Sequence, residues 1–425
     1  MSQGLSAQET SFATLSSEKQ TFIGSSLFQN TPNTAQEDFL KLNIRMRGRI
    51  ETDAIVAVQS RESQEILGDL QNGYGFRRLR LGSQGNLGDA LRWVSEVEMA
   101  GGTPRLRDVF IGYTMFPWLR EFRVGFFREP FSLEGSTSAN FITFMERSPL
   151  NELDPTRDWG GCAYWWPDDE RATIALGLFR DGTTNGGQSQ GDQDAWAVTG
   201  RITGLPVYNP DDSDFHLVHV GVAASFRSPA DGVVRFDPGL ASSLLTVSDD
   251  PSSPFLPAIS VPATYQYLLN LQAAWVNGSF SMQSEWFATF IEQPQASQVF
   301  FHGFYYDISY FLTGEHRGYD RTRGAFDQVK VLRPVVKTKD DPRGGMGAIE
   351  LAGRFSFTDL TSPNLAPLEN GSPAGASLYQ LTLGCNWYLN DFTRIMFNYT
   401  AGFPKEAAQD ATVAHLFSVR FAYFW

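Results

Sequence analysis

The last eleven residues, HLFSVRFAYFW (415–425), alternate strictly: Phe417, Val419, Phe421, Tyr423 and Trp425 share one face, and Leu416, Ser418, Arg420, Ala422 and Phe424 the other. Side chains of a strand point to opposite faces in turn, so this is a strand period and not a helical one. The period recurs along most of the chain. In FLKLNIRMRGRIET (39–52), Leu42, Ile44, Met46 and Ile50 oppose Lys41, Asn43, Arg45, Arg47, Arg49 and Glu51, and the pattern runs on through DAIVAVQS (53–60). In YQLTLGCNWYL (379–389), Tyr379, Leu381, Leu383, Cys385, Trp387 and Leu389 oppose Gln380, Thr382, Gly384, Asn386 and Tyr388. The polar parity carries charge deep within strands, where a soluble sandwich or small barrel needs apolar filling. A large barrel with lipid outside and water inside suits both faces. Closure also leaves no unpaired backbone edge, which hydrocarbon penalises by several kcal/mol per group.

Sixteen segments carry the pattern, at 39–60, 74–87, 90–100, 105–116, 121–131, 158–166, 171–180, 193–204, 214–226, 264–277, 279–291, 300–313, 346–359, 376–390, 392–401 and 414–425. The expectation is an all-β transmembrane antiparallel barrel of about 16 strands over 39–425, with an inward-folded third loop. Short turns such as GNLGD, PDDER, NGS and YLND alternate with longer connections. Strict parity puts residues 314–345 on the short-turn side, so either one long connection stands there or the strand count changes nearby. Residues 1–38 are polar without a sustained period and read as an N-terminal extension, disordered or periplasmic.

Apolar residues make up 42% of the chain and aromatics 14%, yet the mean hydropathy is only −0.24, because large apolar groups are dispersed among polar ones. No apolar run of about 18 residues is present, so no membrane helix is expected. The opening residues lack a basic n-region and an apolar h-region, so no signal peptide is expected within this numbering. A net charge of −13 argues against a nucleic-acid partner. His216, His219, His302, His316 and His415 have no HExxH spacing, and there is no GxSxG elbow or P-loop, so no enzyme is expected. No cofactor is expected either. The loop 180–194 offers Ca²⁺-type oxygen ligands, but turn chemistry accounts for the same residues.

The blocks FRRLRLGSQGNLGD, FRVGFFREPFSLEGSTSANFITFMERS, FLTGEHRGYDR with GAIELAGRFS, and LTLGCNWYLN with the aromatic terminus resemble the phosphate-selective porin O and P family over roughly residues 40–425. The resemblance implies a sixteen-stranded bacterial outer-membrane porin, homotrimeric, passing anions through an arginine-lined channel with a lysine-rich constriction. It implies lumenal basic positions at Arg49, Arg77, Arg78 and Arg123. Two departures stand out: few lysines lie on the strands, and the chain is acidic overall.

Arg45, Arg47 and Arg49 lie on one face of the first strand at intervals of about 6.6 Å, a ladder of guanidinium forks able to pass an anion from rung to rung. Arg78, Arg80, Arg123, Arg201, Arg354, Arg394 and Arg420 fall on the polar parity of their strands. Arg77 does not; parity sends it toward lipid unless it sits at a rim or a bulge turns it inward. The competing reading is that these arginines pair with Glu51, Glu96, Glu98, Glu285 and Glu350 and only hold the wall in shape. Residues 131–160 form the expected constriction loop, with Phe131, Phe141, Phe144 and Met145 packing inside and Glu134, Glu146, Arg147, Asp154, Arg157 and Asp158 charging it; the competing reading is an extracellular lid without selectivity. Phe421, Tyr423 and Trp425 resemble the terminal signal read by the outer-membrane barrel assembly machinery. The expected function is passive diffusion of small solutes with a preference for anions such as phosphate. The alternatives are a general or weakly selective porin, or a plugged surface barrel acting through loops 227–263 and 314–345.

Overall fold

A computed structural model describes residues 42–180, 195–211, 215–236, 258–336, 344–367, 374–406 and 412–425. In chain order its strands are β1 (Leu42–Gln59), β2 (Gly73–Leu87), β3 (Leu91–Glu98), β4 (Arg105–Tyr113), β5 (Glu121–Arg128), β6 (Arg157–Trp165), β7 (Ala172–Arg180), β8 (Trp196–Asn209), β9 (His216–Ser228), β10 (Val233–Phe236), β11 (Ile259–Pro262) and β12 (Tyr265–Asn277). They continue with β13 (Phe280–Glu292), β14 (Val299–Phe311), β15 (Gly318–Asp320), β16 (Ala325–Asp327), β17 (Ala348–Asp359), β18 (Ala376–Asn390), β19 (Thr393–Glu406) and β20 (Ala414–Phe424). Sixteen of them close into one antiparallel barrel in the order β1–β9, β12–β14, β17–β20, while β10–β11 and β15–β16 are separate hairpins. Every expected segment is a wall strand, its ends displaced by a few residues.

Closure joins β1 to β20, with Arg49 opposite Phe424 and Gln59 opposite Ala414. The Trp425 backbone extends the seam, exchanging hydrogen bonds with Gly48 at 3.1 and 3.2 Å. A Cβ on Gly48 would stand 2.2 Å from the Trp425 ring, so glycine is what lets the terminal aromatic lie against the first strand. The apolar parity of the strands is turned to the barrel's outer face. Buried polar and charged groups occupy the other parity.

Connections alternate between the two barrel ends. One end carries 88–90, 114–120, 166–171, 210–215, 278–279 and 391–392, and also the long 312–347; the other carries 60–72, 99–104, 129–156, 229–264, 293–298 and 360–375. The strand count therefore stands, and the long connection lies at the short-turn end.

Two hairpins fill the inside of the β8–β14 wall. From the long-loop end, Val234 and Phe236 of β10 and Ile259 and Val261 of β11 pack on Ala223, Leu268, Phe287 and Phe301 of the wall. From the short-turn end, Phe326 of β16 packs with Leu205, Leu217, Ala274 and Val276 of the wall and Leu133 of the loop 129–156. Residues 1–41, 181–194 and 237–257 lie outside the described residues, and with them the N-terminal extension and nearly all of the loop considered for Ca²⁺.

Candidate functional site

The β5–β6 connection, residues 129–156, is bonded at successive positions to inward-facing side chains around the wall. Gln272 of β12 donates to the Phe131 carbonyl at 2.6 Å. Glu285 of β13 accepts from the backbone N–H of Leu133 at 2.6 Å and of Glu134 at 2.9 Å. Arg354 of β17, paired with Asp307, donates to the Glu134 carboxylate at 2.5 Å and to the Glu146 carbonyl at 3.1 Å. Asn386 of β18 holds the Thr143 carbonyl at 2.7 Å, and Arg394 of β19 the Ile142 and Ala139 carbonyls at 2.8 and 3.3 Å. Arg420 of β20 donates to the Met145 carbonyl and to the Glu146 carboxylate. Two inward glycines make seats for the loop: a Cβ on Gly303 would meet Leu150 at 2.2 Å, and one on Gly384 would press the Phe144 ring at 3.3 Å.

Within the loop, a short helix, α1 (Leu133–Ser136), is capped by Ser132, whose hydroxyl accepts from Gly135 N–H and donates to Asp154. The Arg147 guanidinium spans the Glu134 and Thr137 carbonyls at 3.0 and 2.8 Å, an internal strut. Phe131, Phe144 and Met145 are buried and Phe141 half-buried. Arg157 and Asp158 belong to β6 rather than to the loop, and Arg157 forks onto Asp108 of β4 at 3.1 and 3.2 Å.

The wall of β1–β4 with the facing edge of the loop and the adjoining β20 and β6 carries neighbouring clusters of ion pairs. Arg78 joins Glu51 to Glu146. Arg80 joins Glu96 to Glu98, and Arg47 also reaches Glu96, at 3.2 Å. Arg420 forks onto Asp53 at 2.7 Å on both arms. Arg77 forks onto Glu146 at 2.6 and 2.8 Å. A bulge sets Arg77 there: Glu51 pairs with Arg78 but Thr52 pairs with Phe76, so Arg77 has no partner in the ladder and departs from strand parity. Burial works against the Glu146 charge, but the surrounding Arg77, Arg78 and Arg420 hold its carboxyl well below the ordinary carboxylate range.

Among the described residues, the eight guanidiniums in and beside these clusters (Arg47, Arg49, Arg77, Arg78, Arg80, Arg107, Arg157, Arg420) face six carboxylates (Glu51, Asp53, Glu96, Glu98, Asp108, Glu146), an excess of two positive charges within this set. Arg49 has Glu51 at 4.0 Å, beyond hydrogen-bond reach, and its Nη1 is buried without a hydrogen-bond partner among the described residues. The Arg107 Nε is buried and equally unmatched, with Arg80, Arg157 and Glu98 among its charged neighbours. The sequence pattern does not mark Arg107; the register shift between Ser95 and Val97 places an extra β4 residue there, which parity cannot show.

The remaining arginines are placed differently. Arg45 is exposed near the start of β1, at the short-turn rim. Arg123 is enclosed by Phe110, Tyr164 and Phe127, its guanidinium 4.2, 4.5 and 5.2 Å from the ring centres, and is paired with Glu121. Arg201, Arg354 and Arg394 are no more than 4% exposed, because the loop or the β15–β16 hairpin covers them. Of the five carboxylates expected to neutralise arginines, Glu51, Glu96 and Glu98 do so. Glu285 instead takes loop N–H groups and the Tyr305 hydroxyl, and Glu350 takes Asn386 and Tyr388.

Residues 44–425 match the family model described as phosphate-selective porin O and P. The chain is 26% identical to an uncharacterised protein of Caulobacter vibrioides over 360 residues, 82% of this chain and 68% of that one. It is 25% identical to Porin O of Pseudomonas aeruginosa over 295 residues, 65% of this chain and 64% of that one. In fold it is similar to the anion-selective porin from Comamonas acidovorans, at a TM-score of 0.54 and 13% identity, over 91% of this chain and 100% of that one.

Proposed function

The chain belongs to the phosphate-selective porin O and P family, and from that premise we propose that it is a passive diffusion porin that prefers small anions, phosphate among them, along the guanidinium strip of β1–β4. Family and barrel support a channel of the bacterial outer membrane. The observation that carries the anion preference is the excess of two guanidiniums over carboxylates in the strip, where Arg47 and Arg77 keep 28% and 23% of their side-chain surface open. An anion entering there meets a wall of net positive charge and competes with the resident carboxylates for its guanidinium groups. Conduction needs binding that is favourable but divided among several weak sites, and two partly satisfied arginines among paired ones supply that.

Replacing Arg49 by Ala and Arg107 by Gln together is expected to shift the reversal potential in a KCl gradient toward zero. It should also raise the phosphate concentration that half-blocks the current by roughly tenfold or more, each lost charge-assisted bond being worth about 1.5–3 kcal/mol. Unchanged selectivity in that variant would favour the second reading, a weakly selective porin. That reading is supported by the six other arginines of the strip, each bonded to a carboxylate.

The proposed assembly is a homotrimer in outer-membrane lipid, delivered by the barrel assembly machinery through Phe421, Tyr423 and Trp425. A folded protein that runs only as a monomer after mild detergent extraction would count against the trimer.

A further inference from the structure

Glu146 is the point where three wall arginines converge. Its carboxylate takes both arms of Arg77 at 2.6 and 2.8 Å, Arg420 at 2.6 Å and Arg78 at 3.3 Å. We propose that Glu146 is a resident counter-ion: its carboxylate fills the guanidinium cage that a permeant anion would otherwise occupy, so this residue sets how strongly the passage binds and selects anions. The inference rests on the anion route along β1–β4 proposed above.

Three observations separate this role from that of a clamp holding the loop. First, the loop is tied down next to Glu146 without its carboxylate: Arg420 bonds the Met145 carbonyl and Arg354 the Glu146 carbonyl. Second, the Glu146 side chain keeps 12% of its surface open, while Glu51 and Asp53 beside it keep 3%, so of the three carboxylates it is the one an entering ion can reach. Third, the bulge that takes Arg77 out of the ladder delivers its guanidinium to this one carboxylate. Carboxylate and phosphate present the same two-oxygen fork to guanidinium. A permeant bearing that fork therefore competes with Glu146 for the same donors, and one with two negative charges competes best.

The test is Glu146→Gln, which keeps size and one acceptor oxygen and removes the charge, with folding checked by heat-modifiable gel migration. Expected results are a reversal potential in a KCl gradient displaced further toward that of chloride, and a half-blocking concentration of inorganic phosphate lowered by roughly tenfold or more. The pair Glu146→Gln with Arg77→Gln restores the charge balance and is expected to return both readings close to those of the native protein. Unchanged selectivity and block in Glu146→Gln, with only a larger or noisier current, would assign Glu146 to the clamp and overturn the proposal. So would a gain that persists in the paired variant, since loop geometry rather than charge would then be its source. If the native protein proves unselective while Glu146→Gln becomes anion-selective, the native preference fails and the counter-ion role stands. A selective native protein unaffected by Glu146→Gln would keep the native preference and overturn the counter-ion role.

Discussion

Replacing Arg420 by Met is expected to destabilise the folded barrel by about 3–5 kcal/mol, the cost of removing one partner from a buried ion pair. Arg420 is 1% exposed and serves four acceptors. It forks onto Asp53, bonds the Glu146 carboxylate, holds the Met145 carbonyl and lies 3.3 Å from Glu51. Methionine replaces the bulk of the stem but none of the five N–H donors. Asp53 would then be left as a buried carboxylate without its forked cation, and the 129–156 loop would lose its tie to the seam strand. Because β20 also closes the barrel against β1, the effect should appear in global unfolding, read as a lower temperature for loss of heat-modifiable gel migration or a lower urea midpoint in detergent. A change of less than about 0.5 kcal/mol, the size usual for surface substitutions, would mean that water replaces Arg420 at no cost and that the interior is wetter than these contacts imply.

The second large effect concerns the connection that parity puts at the short-turn end. Its β15–β16 hairpin is held inside the barrel by Arg201, which donates to the Arg323 and Gly324 carbonyls at 3.0 and 2.7 Å. The Tyr319 hydroxyl and His219 Nδ1 lie 2.6 Å apart, Arg317 donates to Gln283 at 3.0 Å, and Arg321 pairs with Glu170 of the 166–171 turn at 2.6 Å. The hairpin also meets the loop: Phe326 N–H donates to the Thr137 hydroxyl at 3.3 Å. Gly318 pairs with Asp327, so the ends of the hairpin are adjacent and residues 318–327 can be replaced by two glycines without stretching the chain. The expected result is a severalfold rise in single-channel conductance, with some loss of stability as the Phe326 cluster is opened. A folded deletion variant with native conductance would show that the hairpin lies outside the route of permeation.

The wall is legible in the sequence because strand side chains alternate and lipid demands an apolar outer parity over every crossing. That one rule locates all sixteen strands, the closing strand with its terminal Trp425, and the long connection on the short-turn side. The interior is only partly legible. Parity turns Arg47, Arg49, Arg78 and Arg80 inward, but it cannot say that the loop and hairpin cover Arg201, Arg354 and Arg394. Both acceptors of Arg394 and two of those of Arg201 are backbone carbonyls, which every residue has and no sequence pattern marks, and Arg354 meets the Glu134 carboxylate 220 residues away in the chain. Nor does spacing show that Arg420 meets Asp53, 367 residues away in the chain. Arg77 and Arg107 escape parity because each lies where the ladder slips by a residue. One further signal is present in the sequence: Gly303 and Gly384, glycines inside strands on the inward parity, mark where the Leu150 and Phe144 side chains come to rest against the wall.

Planar-bilayer recording of the native protein in a KCl gradient, followed by addition of inorganic phosphate, tests the anion preference most directly. A reversal potential of the sign set by chloride, with current falling as phosphate is added, is the predicted result. An open channel with a reversal potential at zero or of the sign set by potassium, indifferent to phosphate, would contradict it and leave the guanidinium strip as scaffolding neutralised by its own carboxylates.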